Sequence, residues 1–404
     1  MQSGKKTKIL LFSLLSLDLV LLGVGIHYSN AFSSPKPRWA LLYYMSYDND
    51  LSKHGNAILQ ALSKGLQDES IVVAVQVDFT KNNGMQRIVF SVKKGKVHKQ
   101  VIQLKSEDSA DERSVASFLS WIQKKLPADN YMLAFLNHGG KLNQMCSDVR
   151  PFSKSVISPK ASQTSEKWLR SHKVGQIVAR FHKRTQKRLR LLFLQQCGRS
   201  TLQNLYHFAY AADYTLASPL SILAPNTYYT KTLQQLRRSP NWTGKELAQQ
   251  IMRSDKDYQI YTLIHNATLQ KLPNVWLPLL QKYLTKKRLK WPTEVPVTFR
   301  TEPGTKAERF VDAKHFFKGL AQQNGIAQKE TQRFINWLEL ELIVQRSHVP
   351  KAKKLLPLCS GISLFIPLQK EQVGRYPHLP IYQKLPLQRF FKKFSLITIV
   401  TGIQ

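Results

Sequence analysis

Four mostly apolar runs divide the first half of the chain: Trp39–Met45, Ile71–Val77, Tyr131–Leu136 and Arg190–Leu194. Runs without polar alternation mark strands buried on both faces, as in a parallel sheet covered by helices. The segments between them change period. Asp50–Leu66 (Leu51, Ile58, Leu59, Leu62, Leu66), Asp111–Leu126 (Val115, Phe118, Leu119, Ile122) and residues 165–183 (Trp168, Leu169, Val174, Ile177, Val178, Phe181) carry helical spacing. Arg87–Val92 and Val97–Leu104 alternate across Lys93-Lys94-Gly95-Lys96 and predict a hairpin. A short strand is predicted at Tyr214–Ala217. The pattern is that of an α/β fold with a mainly parallel sheet flanked by helices. Residues 141–164 hold turn formers without a period. Beyond about residue 240 the spacing is mostly helical (244–265, 272–286, 313–346), with one late strand-like run at Gly361–Ile366. The expected division is a core at 39–240 and a mostly helical part at 241–404 carrying one late core strand.

Composition sharpens this picture. Of 404 residues 43% are hydrophobic and 10% aromatic, which suffices for a large core and excludes a disordered or fibrous chain. Sixty Lys and Arg against 25 Asp and Glu give a formal charge of +35. Such a surface attracts anionic membranes and envelope polymers. Nucleic acid is not expected, because no binding motif is present and the N-terminus points to export. That N-terminus has Lys5, Lys6 and Lys8 before an apolar run from Ile9 to Ile26, then Ser29-Asn30-Ala31. It reads as a signal peptide over residues 1–31 or an uncleaved anchor, with Asp18 arguing against the anchor. Residues 32–38 form a linker. The protein is expected to be secreted or periplasmic, or tethered to the inner membrane. Three cysteines, Cys146, Cys197 and Cys359, exclude a disulfide scaffold.

Two of the apolar runs stop at a reactive residue followed by glycine: Asn137-His138-Gly139-Gly140 and Gln195-Gln196-Cys197-Gly198. Ligands of open parallel sheets bind beyond the carboxyl ends of the strands. His138 and Cys197 therefore stand where a site belongs, and an imidazole beside a thiol makes the thiolate available as a nucleophile. The glycines let a substrate carbonyl approach, and the N–H groups of Gly139 and Cys197 suit an oxyanion hole. Taken singly, each residue has a plainer reading, a turn histidine and a small buried hydrophobe; the joint pattern favours chemistry. Cys146, in an irregular loop, and Cys359, just before a strand, lack this context.

The order strand–His-Gly, insert, strand–Cys-Gly, helix and a short strand ending Ala217-Ser218 resembles the clostripain family of cysteine peptidases, with the caspase-haemoglobinase fold. Tyr44-Met-Ser-Tyr-Asp-Asn-Asp-Leu51, Ala212–Ser218, Tyr228-Tyr229 and Ser360–Ser363 extend the resemblance. It implies an endopeptidase acting on polypeptides, with His138 as general base and Cys197 as nucleophile. One departure stands out. Relatives that cut after Arg or Lys carry an Asp two residues before the cysteine, where this chain has Gln195, and Pro219 follows Ser218 in place of an acid. Gln195 and Ser218 are the expected pocket residues, and an uncharged P1 side chain is expected; a basic one would require a carboxylate from elsewhere, such as Asp213. The resemblance admits calcium, but no acidic loop supports it and no cofactor is expected. From Arg150 to Arg190 twelve Lys and Arg face one acid, Glu166. That stretch reads as a solvated basic face, a contact for anionic surfaces or a processed loop. The alternative to an enzyme is a catalytically weak relative that binds anionic polymers.

Overall fold

The computed structural model describes residues 36–79, 84–105, 108–149, 166–301 and 308–394. The expected signal segment at 1–31 and residues 150–165 of the basic stretch lie outside them. The predicted strands appear as β1 (Trp39–Tyr47), β2 (Ile71–Phe79) and the hairpin β3 (Gln86–Lys93) and β4 (Lys96–Gln103). Helix α1 (Ser52–Gly65) joins β1 to β2, and α2 (Glu112–Lys125) leads into β5 (Asn130–Leu136). The Asp111 carboxylate caps α2 by accepting from the Arg113 N–H. Next come β6 (Gln144–Asp148), β7 (Lys167–Arg170), α3 (Ser171–Arg184), β8 (Leu189–Gln195), α4 (Leu202–Tyr206) and β9 (Tyr214–Ala217).

Strands β1, β2, β5, β8 and β9 pair in parallel. Every residue of β1 is buried, as its uninterrupted apolar sequence requires for a strand covered on both faces. On one face α1 packs with α5 (Tyr228–Arg238) and α6 (Gly244–Ser254), whose start is fixed by a capping box between Thr243 and Glu246.

The later chain departs from the expected helices. Residues 244–265 split into α6 and the strand β10 (Ile260–His265), and α7 (Asn266–Leu269) and α8 (Leu272–Leu284) follow. β11 (Val297–Arg300), β12 (Arg309–Asp312), α9 (Ala313–Asn324) and α10 (Gln328–Asn336) come next, and a π turn at Trp337–Leu342 feeds β13 (Ile343–His348). Both β10 and β13 join the central sheet antiparallel, giving the order β13-β10-β9-β8-β5-β1-β2-β3-β4. Ile260, Leu263 and Ile264 satisfy i, i+3, i+4 spacing as well as strand burial, which is why the pattern misleads there. The expected late core strand is β14 (Ser363–Ile366), and it belongs to a separate three-stranded sheet with β12 and β11. The C-terminal part is thus woven into the same unit as the core. Two further corrections concern the insert: β7 precedes α3 inside the supposed helix at 165–183, and Cys146 lies on β6.

Candidate active site

The register across the sheet brings three distant segments together. Met45 of β1 is level with Leu136 of β5, and Leu136 is level with Gln195 of β8. Neighbouring strands lie about 4.8 Å apart. His138 and Cys197 each stand two residues beyond that row, on adjacent parallel strands. Both line one cleft of about 210 Å³, together with Asp50, Gln195, Ile222, Leu223 and Asn226.

Asp50 is the residue that sequence reasoning missed. It sits in the turn after β1, and its Oδ1 lies 2.7 Å from His138 Nε2. Partial burial pushes its carboxyl up, but the hydrogen bond and charge of His138, a backbone N–H and Lys53 outweigh it and hold the carboxyl below its ordinary value. The turn is built for this contact. Asn49 Oδ1 accepts from the Leu51 N–H at 3.0 Å, while Asn49 Nδ2 donates to Asn137 Oδ1 at 3.2 Å. Buried Asn137 donates to the carbonyls of Ser46 and, at 2.9 Å, Ser147. The residue before His138 therefore ties β5 to β1 and β6. The Asp-Asn-Asp stretch was visible in the sequence, but nothing there paired Asp50 with a histidine 88 residues later.

Cys197 is partly exposed, and its Sγ contacts the backbone of Ile222, with the Ile222 N–H at 3.4 Å. Gly198 adopts φ +67°, a left-handed conformation that a side chain resists, and Phe299 fills the space where a Cβ would lie. The glycine after His138 has a different cause from the one expected. A Cβ on Gly139 would fall 2.0 Å from the Cys197 carbonyl oxygen, so Gly139 lets the loops that carry His138 and Cys197 touch. Among the described residues neither the Gly139 nor the Cys197 N–H has a protein acceptor. Arg199, fully buried, links the loops from beneath: it donates to the carbonyls of Cys197 (3.1 Å), Gly140 (2.6 Å), Gln144 (2.6 Å) and Lys141 (3.2 Å). Burial lowers its pKa to about 10, against the opposing pull of Cys197 and Glu308, so it remains a cation at neutral pH.

Gln195 forms a buried wall of the cleft, and both ends of its amide are engaged. Tyr228 OH donates to its Oε1 at 2.8 Å. Its Nε2 donates to Tyr229 OH at 2.9 Å and to Asn226 Oδ1. Asn226 Nδ2 in turn donates to Asp255 Oδ2 at 2.8 Å. Asp255, buried, also accepts from Tyr261 OH at 2.8 Å and from the Thr227 N–H at 3.0 Å. A carboxylate only accepts, so Asp255 fixes the orientation of Asn226, and Asn226 fixes that of Gln195. Burial pushes the Tyr228, Tyr229 and Tyr261 hydroxyls well up, and they stay neutral. The cleft thus presents an amide where a carboxylate stands behind it.

The remaining candidates fall elsewhere. The Ser218 hydroxyl is spent within its own turn, donating to the Leu220 carbonyl and accepting from the Leu220 N–H, both at 3.0 Å, and does not line the cleft. Asp213 pairs with Arg190 at 3.0 Å at the other end of the strands. Cys146 is buried on β6 with Gln196 Nε2 3.0 Å from its Sγ, and burial pushes its thiol far up. Burial takes the Cys359 thiol up to about 12. Neither is available as a thiolate near neutral pH. Among the described residues no group of three or more His, Cys, Asp or Glu is arranged to hold a metal.

A parallel α/β sheet with a thiol and an imidazole at neighbouring strand ends is an architecture of cysteine peptidases. The family model of the clostripain family matches residues 43–272, and the chain belongs to that family of cysteine peptidases. Among solved structures it is similar to an inactive zymogen C11 protease from Parabacteroides distasonis, at 16% identity and TM-score 0.65, covering 87% of this chain and 99% of that one. It is also similar to a secreted C11 cysteine protease from Bacteroides thetaiotaomicron in complex with an irreversible peptide inhibitor (14%, TM-score 0.60, 86% and 98%). A third likeness is to the structure of a secreted C11 cysteine protease, "iotapain", from the same organism (9%, TM-score 0.62, 87% and 99%). At these identities the likeness is one of fold. No curated protein sequence matches the chain.

Proposed function

We propose that the protein is an exported endopeptidase in which Cys197 is the nucleophile, His138 the general base and Asp50 the residue that positions His138. The observation that carries this is the convergence of His138 and Cys197 on one cleft from adjacent parallel strands. With Nε2 held by Asp50, Nδ1 is the ring nitrogen left for the thiol. It takes the Cys197 proton as Sγ attacks the scissile carbonyl. The oxyanion lies against the free N–H groups of Gly139 and Cys197. As the tetrahedral intermediate collapses, the imidazolium returns the proton to the leaving amine and a thioester remains. Water, deprotonated by His138, then releases the acid and restores the thiol.

Gln195 shapes the P1 pocket. Its amide hydrogen-bonds but does not neutralise a guanidinium or ammonium, so uncharged P1 residues are preferred. Export is supported by the basic and apolar N-terminal sequence, and two of the solved structures similar in fold are described as secreted. No helix among the described residues is long and apolar enough to cross a membrane. The test is digestion of a mixed peptide library with the cleavage sites read by mass spectrometry. Cuts after uncharged residues, absent with Cys197→Ala, are expected; no cleavage, or cleavage surviving that substitution, overturns the reading.

A further inference from the structure

The basic run singled out in the sequence leads away from the catalytic cleft. Arg180, Lys183, Lys187 and Arg190 line a groove of about 1380 Å³ at the opposite end of the strands, where Asn130 opens β5 and Tyr214 opens β9. A seven-residue strand rises about 3.3 Å per residue, so the groove and the cleft are separated by about 20 Å of sheet. Nothing in the peptidase mechanism uses it.

Its charge is unbalanced. Two acids line it, and both are already paired: Asp129 with Lys36 at 2.5 Å and Asp213 with Arg190 at 3.0 Å. Arg38 donates to Asn241 Oδ1 at 2.6 Å, and Arg180, Lys183 and Lys187 have no carboxylate partner among the described residues. His182 Nδ1 is buried on the same wall without a hydrogen-bond partner. Arg38, Arg180, Lys183 and Lys187, four cations without a carboxylate partner among the described residues, face a concave surface and focus an anion there. The longer segments outside the described residues, 1–35, 150–165 and 395–404, hold no excess of acids to offset it.

The neutral lining narrows the class. Tyr210 is 54% exposed and Trp242 half-buried, offering apolar faces to a ring, while Asn130, Asn241, Gln270 and Thr243 add amides and a hydroxyl suited to polyol contacts. A platform for single-stranded nucleic acid needs successive open ring faces. Here Tyr214 and His265 lie against each other, with centroids 5.4 Å apart, and leave Tyr210 and the half-buried Trp242 rather than a continuous row of rings. We propose that this groove binds a phosphate-bearing oligosaccharide, either as free polymer or as the headgroup of a glycolipid, by Arg and Lys contacts to phosphate and ring contacts to sugar.

The test is calorimetric titration of the full chain with mannopentaose phosphate, neutral mannopentaose and an eight-nucleotide oligo-dT, beside sedimentation with vesicles carrying or lacking lipid A. Binding of the phosphorylated saccharide is expected, weakening as salt rises and absent for neutral mannopentaose. Arg180→Ala/Lys183→Ala/Lys187→Ala should weaken it about tenfold or more. Tyr210→Ser should weaken it further, while an equally charge-reduced control, Lys351→Ala/Lys353→Ala/Lys354→Ala, should not. Each variant should retain cleavage of a short peptide, which separates loss of the groove from loss of fold. Binding to free saccharide and to lipid A vesicles supports the class from both sources; binding to one alone identifies the source. No binding, tighter binding of oligo-dT, or equal loss in the control variant overturns the proposal.

Discussion

Gln195→Glu changes one nitrogen to oxygen and keeps the side chain's shape, so it isolates the charge of the proposed P1 pocket. In the native protein Nε2 donates to Tyr229 OH and Asn226 Oδ1. Asn226 cannot turn over to help, because its Nδ2 faces the Asp255 carboxylate. An ionised carboxylate at 195 would place two acceptors together beside a second buried acid. The introduced carboxyl is therefore held protonated in the folded state, where its O–H replaces one lost donor. Its pKa is raised on folding, so the unfolded chain gives up the proton first. The variant is then nearest the wild type at low pH, short of one donor, and loses further stability as pH rises past the unfolded value of about 4.3, up to the folded value. At neutral pH the loss should be about 1–3 kcal/mol, the cost of an unsatisfied buried polar group. A bound lysine or arginine at P1 reverses the balance by pairing with the carboxylate. A hydrogen bond to a charged group contributes about 1.5–3 kcal/mol, so the ratio of kcat/KM for basic over neutral P1 should rise about ten- to a hundredfold. The assay is a fluorogenic peptide panel varying only P1, with thermal melts at pH 4 and pH 7. A wild type that already prefers arginine by a large factor, or an unchanged ratio in the variant, would refute the reasoning.

Three further outcomes are expected. Asp50→Ala should lower kcat/KM about five- to tenfold with little change in melting temperature, because the contact to His138 is 69% exposed on the Asp50 side and water screens it; the native contact should survive down to pH values below the ordinary carboxylate range, and a pH–rate profile checks this. Cys146→Ala and Cys359→Ala should retain activity, since burial keeps both thiols protonated; a peptidase assay that shows loss at Cys146 equal to that at Cys197 would point to a redox pair. Gly139→Ala should cost activity tenfold or more, because its Cβ would meet the Cys197 carbonyl at 2.0 Å and drive the two catalytic loops apart; a crystal structure of the variant should show the displacement.

The sequence exposed what burial alone dictates. The runs in β1, β2, β5 and β8 are apolar on both faces, and no helix of that length is, so the parallel core could be read directly. His138 and Cys197 stood out as candidates because each closes such a run before a glycine, and both line one cleft. The pattern gave out where a contact depends on the folded chain. Asp50 meets His138 across 88 residues, and Asp255 reaches Gln195 only through Asn226; neither pairing leaves a local trace. β10 and β13 were hidden for another reason: Ile260, Leu263 and Ile264 fit a helix as well as a strand, and β13 is only half-buried at the sheet's flank. Ser218 was misplaced because its position after β9 is right for a pocket while its hydroxyl turns back into its own loop.

The central claim is that Cys197, with His138 beside it, is the nucleophile. The direct measurement is to label the full-length protein with a peptidyl acyloxymethyl ketone bearing an uncharged P1 residue and to locate the adduct by mass spectrometry. The account predicts a single adduct on Cys197, abolished by Cys197→Ala and slowed at least tenfold by His138→Ala. An adduct on Cys146 or Cys359, or labelling of Cys197 at an unchanged rate without His138, would contradict it.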